Sequence, residues 1–116
     1  MVKKISRDTL LHMMRSEGTP VKIVDVLGED HYRREHIKGA ISLPLGKIDK
    51  YADRRLRRDE RIVVYCTDIT CHAGEKAADK LAAKGFPRVY DYAGGLEDYK
   101  QAGLPVEGSP DDPPRE

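Results

Sequence analysis

Short apolar runs alternate with amphipathic stretches along this chain, and the changes of period fall at glycine, proline or small polar residues. Ser6 stands where an N-cap is expected, Leu10, Leu11 and Met14 follow at helical spacing, and Gly18 with Thr19-Pro20 closes the stretch, so a first helix is predicted. Val21 to Leu27 is short, β-branched and nearly all apolar, as in a strand covered on both faces, with Asp25 as its acidic member. Gly28 to Arg34 predicts a turn and short helix, Ile37 to Pro44 a turn and a brief strand stopped by proline, and Ile48 to Arg55 another helix. Arg61 to Tyr65 is a second apolar strand, running straight into Cys66. His72 to Lys84 has helical spacing, with Ala73, Ala77, Leu81 and Ala82 as its inner face and Gly85 as its stop. Val89 and Tyr90 mark a further strand, Gly94-Gly95 a turn, and Leu96 to Ala102 a last helix closed by Gly103 and Pro105.

Strands alternating with helices predict an α/β domain whose central sheet is mostly parallel and covered by helices on both faces. In such sheets ligands bind beyond the carboxyl ends of the strands, where Cys66 falls. The chain of 116 residues has room for one hydrophobic core, so we expect a single domain over residues 1–107. Residues 108–116 hold too little apolar surface to offset the entropy of ordering, and a mobile tail is expected there.

Composition removes several function classes. Lys plus Arg number 21 against 20 for Asp plus Glu, leaving a net charge of +1 and no global field for nucleic acid. The cluster Arg54, Arg55, Arg57 and Arg58 is bracketed by acids and lacks interleaved aromatics, which fits a solvated helix end. No apolar run is long enough to span a bilayer, and the N-terminus lacks a signal-peptide core, so a cytoplasmic protein without membrane attachment is expected. Two cysteines five positions apart do not make the disulfide framework of a secreted domain.

The chemistry therefore concentrates at Cys66. A thiolate at the end of a strand, facing the first turn of a helix, lies among unpaired N–H groups and the positive end of the helix dipole. Backbone N–H groups from Thr67, Asp68, Ile69, Thr70, Cys71 and His72 could converge on its sulfur. Cys71 is either a second reactive thiol or an inert one packed under the loop. His72 is either an anion contact or an exposed helix-start residue, with Lys76 one turn on. A zinc site from Cys66, Cys71, His72 and His31 or His36 fits poorly, because the cysteine spacing exceeds that of the usual knuckle. Asp25, inside its strand, is expected to satisfy loop N–H groups or pair with a base, His36 to support the turn around Gly39, and Tyr65 to pack on the face opposite Cys66.

Several stretches together resemble the single-domain rhodanese family. V-K-I-V-D-V-L around Asp25 is similar to its first-strand signature, E-H-I-K-G-A-I-S-L-P from Glu35 to Pro44 to its G-H-I-x-G-A-x-x-x-P segment, and Val89 to Val106 to its closing stretch, with Tyr99 where a tryptophan often stands. The resemblance implies a sulfurtransferase: Cys66 takes a sulfane sulfur from a donor such as thiosulfate or polysulfide, and a thiophilic acceptor, small molecule or protein thiol, removes it. No cofactor or metal is expected, and a domain this small can work as a monomer or a homodimer. Against the family's common Cys-x-x-Gly-x-Arg loop, Ile69 replaces the glycine and Cys71 the arginine, and Leu27 stands where an arginine often follows the first strand. The lost cations would have bound the anionic end of thiosulfate. An interaction module without turnover is the alternative from another class, and a Cys66/Cys71 redox switch a third reading.

Overall fold

The computed structural model describes residues 2–16, 18, 20–67 and 70–108. In chain order the elements are β1 (Lys3–Ile5), α1 (Arg7–Arg15), β2 (Val21–Asp25), α2 (Glu29–Arg34), β3 (His36–Ile37), β4 (Ile41–Ser42), a 3-10 turn at Leu45–Lys47, α3 (Ile48–Arg55), β5 (Arg61–Tyr65), α4 (Ala73–Ala83), β6 (Val89–Tyr92), α5 (Gly95–Gln101) and β7 (Val106–Glu107). Ser6 caps α1 by accepting the Thr9 N–H, as the sequence predicts.

Five strands form one parallel sheet in the order β1-β6-β5-β2-β4. The two longest, β2 and β5, lie side by side in the interior with Asp25 opposite Tyr65. A separate antiparallel ribbon pairs β3 with β7.

Strand alternation divides the core between the two faces. Ile62, Val64 and Cys66 pack with Ile48 and Ala52 of α3 and with Ala77, Ala78 and Leu81 of α4. Val63, Tyr65 and Tyr92 pack on the other side with Leu10 and Met13 of α1 and Tyr99 of α5. The expected α/β domain with helices on both faces is therefore present. At the end of α3, Arg58 pairs with Asp53 at 3.0 Å and lies 4.4 Å from the Phe86 ring centroid, while Arg57 pairs with Asp59 at 3.2 Å. Two of the four arginines of that cluster, Arg57 and Arg58, are thus salt-bridged just beyond the helix end.

Three details depart from the sequence reading. Met13, not Met14, joins Leu10 beneath α1, and Met14 is exposed; the Arg61 guanidinium donates to the Met13 carbonyl and fixes the roll of the helix. The buried face of α4 is Gly74, Ala77, Ala78 and Leu81, with Ala73 and Ala82 half-buried, because Gly74 lets the helix start close over β6. β1 and β7 carry too few buried residues to show a period. The tail expected to be mobile lies, from residue 109 on, outside the described residues. Among the described residues, no helix is long and apolar enough to cross a membrane.

Candidate active site

Cys66 follows the last residue of β5, is 3% exposed, and packs on the α3 and α4 side of the sheet. Its main chain is gripped by α5. The Leu96 N–H donates to the Cys66 carbonyl at 2.9 Å, and the Glu97 N–H to the Thr67 carbonyl at 2.8 Å. Both donors sit in the first turn of a helix, where N–H groups have no intrahelical acceptor. Gly95 makes this approach possible. Its φ is +67°, and a Cβ there would lie 2.6 Å from the Cys66 carbonyl oxygen and 2.9 Å from Thr67 main-chain atoms. In the sequence, Gly94-Gly95 signals only a turn, because the partner of that turn is distant along the chain.

Beyond Thr67 the loop crosses to His72, the N-cap residue of α4. Thr67, Thr70 and His72 are exposed and Cys71 is half-buried. Asp68 and Ile69 lie outside the described residues, and with them the question of what replaces a loop glycine at 69. Cys71 returns over Cys66: their Cα atoms are 6.2 Å apart and their sulfurs are joined. That separation falls within the roughly 4.4–6.8 Å a disulfide spans. The His72 side chain makes no capping bond to α4. Lys76 is exposed one turn into α4, and its N–H donates to the His72 carbonyl at 3.0 Å.

Asp91 is a residue that the sequence reading passes over. It is 5% exposed on β6, and a Cβ on Gly74 would lie 2.8 Å from its Oδ1 and 3.7 Å from Cys66 Cβ. Its carboxylate therefore sits close to the reactive residue, behind the start of α4. Burial pushes its pKa up, an effect that Lys4 opposes and Glu75 and Asp79 reinforce.

Asp25 and His36 occupy other places. Asp25 is fully buried; its Oδ1 accepts the Leu27 N–H at 2.9 Å and its Oδ2 the Tyr65 hydroxyl at 2.8 Å. Tyr65 in turn accepts the Ile37 N–H at 3.0 Å. Desolvation raises the pKa of Asp25, opposed by these two bonds, and raises that of Tyr65 strongly, with the Asp25 charge adding to the effect. His36 stacks on Tyr32 with ring centroids 3.8 Å apart, hydrogen-bonds the Tyr32 carbonyl through Nδ1, and faces Glu107 through Nε2 at 3.4 Å. Glu107 also accepts the Gly39 N–H at 3.5 Å, so His36 reaches the Gly39 turn through the β3–β7 ribbon.

The fold thus brings Cys66, Thr67, Cys71 and His72 together, with Lys76 nearby, and keeps Asp25 and His36 as framework. A cleft of about 220 Å³ opens beside Thr67, bordered by Leu27, His31, Arg34, Leu96 and Lys100, with Lys100 paired to Glu35 at 2.7 Å. Among the described residues, no three His, Cys, Asp or Glu side chains cluster to hold a metal.

Residues 6–102 match the family described as "Rhodanese-like domain". The chain belongs to that family. It is 29% identical over 100 residues to the thiosulfate sulfurtransferase GlpE of Coxiella burnetii, covering 86% of this chain and 89% of that one. Among solved structures, the BH2092 protein of Bacillus halodurans superposes with a TM-score of 0.84 at 31% identity, covering 93% of this chain and 78% of that one. A rhodanese from E. coli solved with anions gives a TM-score of 0.64 at 26% identity, over 76% of this chain and 98% of that one. The rhodanese-like fold and a sulfurtransferase-type function at the family level follow from these relations.

Proposed function

We propose that this rhodanese-like domain is a sulfurtransferase carrying sulfane sulfur as a persulfide on Cys66. The observation that carries the reading is the seating of Cys66: it follows β5 beside the start of α4, and its own carbonyl and the next are pinned by α5 amides. A sulfur held there lies beside the first turn of α4, with the Asp91 carboxylate behind it, and a thiolate or terminal persulfide sulfur would be stabilised by the N–H donors of such a helix start.

In the first half-reaction the Cys66 thiolate attacks the outer sulfur of the donor, forming a sulfur–sulfur bond and expelling sulfite from thiosulfate or a shortened chain from polysulfide. In the second, a thiophilic acceptor attacks the terminal sulfur, and Cys66 leaves as thiolate. Cations around the site are Arg34 and Lys100, which border the cleft beside Thr67 together with Glu35 and Glu97, and Lys76 on α4. None is the arginine that would stand at position 71, so polysulfide suits this site better than thiosulfate. The chemistry belongs in a reducing compartment such as the cytoplasm, where Cys66 is available as a thiol.

Reduced protein incubated with thiosulfate or polysulfide should convert cyanide to thiocyanate, and its Cys71→Ser variant should gain one sulfur atom by intact mass. Cys66→Ser should lose both. No adduct and no turnover with any donor in the native protein would leave an interaction module as the better description.

A further inference from the structure

We infer that Cys71 is a resolving thiol, giving the domain a second activity: reductive release of the bound sulfur as sulfide. The inference rests on the Cys66 persulfide and concerns its fate when no acceptor arrives. Cys66 and Cys71 are the only cysteines in the chain, and the fold joins them across a separation of five residues with the Cα atoms 6.2 Å apart. Neither sulfur is stranded by this pairing: both belong to the apolar cluster under α3 and α4, Cys66 within it and Cys71 packed against it.

The step balances without an oxidant other than the sulfur itself. The Cys71 thiolate attacks Sγ of the Cys66 persulfide. The Sγ–Sγ bond forms, the bond from Cys66 Sγ to the terminal sulfur breaks, and that sulfur leaves with the bonding pair as hydrosulfide. The sulfane sulfur gains two electrons, and the two cysteines lose two as they become the disulfide seen in the fold. An external dithiol then restores both thiols by exchange. Cys71 is half-buried and Cys66 is 3% exposed, so the incoming thiolate meets Cys71 first and Cys66 is the leaving group. Cys66 is thereby returned as the thiolate that reacts with the next donor.

The five-residue tether decides how often this happens. A group tethered so closely acts at an effective concentration of millimolar or more. An acceptor at micromolar concentration therefore loses to Cys71 unless it docks on the domain. The same residue that costs the loop its arginine makes the domain a sulfide-releasing enzyme by default and a sulfur donor only to a bound partner.

The test uses the reduced full chain, anaerobic and free of small thiols, loaded with polysulfide and desalted at once. Native protein should release one sulfide per sulfur taken up, lose both free thiols, and end two hydrogens lighter than the reduced chain. Reduction by a dithiol, removal of the dithiol and a fresh load of polysulfide should give a second round of release. Cys71→Ser and Cys71→Ala should instead keep one added sulfur atom, convertible to thiocyanate by cyanide, with a persulfide lifetime longer by on the order of 100-fold. A native persulfide as long-lived as that of the variants would overturn the inference and leave the carrier reading intact. Failure of the native protein and both variants to take up sulfur would overturn the carrier reading, and this inference with it. Uptake by Cys66→Ser would also overturn it, by making Cys71 the loading residue.

Discussion

Tyr65 and Cys66 are neighbours in sequence, yet they face opposite sides of the sheet and meet opposite chemistry. Tyr65 is locked into a fully buried set of hydrogen bonds with Asp25 and the Ile37 N–H. Cys66 is joined to Cys71 by a bond that thiols can open, at the head of a loop in which Thr67, Thr70 and His72 are exposed. The first pairing ties β5 and β2 to the ribbon at β3, while the second spans only the loop. The thiol proposed to carry sulfur is kept apart from the polar contacts that hold its strand, and the two-residue period of the strand does the separating.

Gly95→Ala should break the Cys66 side most severely. It places a Cβ against the Cys66 carbonyl at a positive φ, with an expected cost of about 2–5 kcal/mol in urea unfolding. Sulfur transfer should fall even under conditions where the variant remains folded. Tyr65→Phe attacks the other side: it leaves Asp25 and the Ile37 N–H short of a partner in a buried place, and should cost about 1–3 kcal/mol. Its persulfide loading, measured well below the unfolding midpoint, should match the native protein. A loading defect as large as that of Gly95→Ala would show that the two faces are coupled.

Asp25 supplies a finer probe through pH. Burial holds its pKa above the ordinary 3.8. Between that value and the raised one, the folded chain keeps a proton that the unfolded chain has lost, so this group's contribution to stability falls as pH rises through that window. Asp25→Asn should flatten that fall in a series of urea midpoints from acid to neutral pH. Asp91, also raised by burial, keeps part of the slope. The smallest effect is expected at Lys76→Ala: stability within about 0.5 kcal/mol of native, and a KM for an anionic sulfur donor higher by roughly two- to fivefold with kcat unchanged. An unchanged KM would remove Lys76 from the donor site.

The parts of the fold legible in the sequence are those whose own residues carry the signal. β5 and α3 fall on the predicted residues, because an apolar run and an amphipathic turn each declare themselves locally. The placement of Cys66 at a strand end was legible for the same reason. β1 was not, since only Ile5 of its three residues is buried and a single apolar position has no period. The phase of α1 depends on a bond from Arg61, and the proximity of Asp91 to Cys66 on the absence of a side chain at Gly74. These are facts about pairs of distant residues. Asp25 was readable as a satisfier of loop N–H groups, but its Tyr65 partner required knowing that β2 and β5 lie in register.

The grip of α5 on the loop carries a broader consequence. Leu96 and Glu97 hold Cys66 and Thr67 solely through carbonyl oxygens, which every amino acid supplies. The holder therefore places no demand on side-chain identity in the segment it holds, and only Gly95 is committed. Such a domain can trade the side chain at position 67 while the carbonyl grip on residues 66 and 67 stays the same.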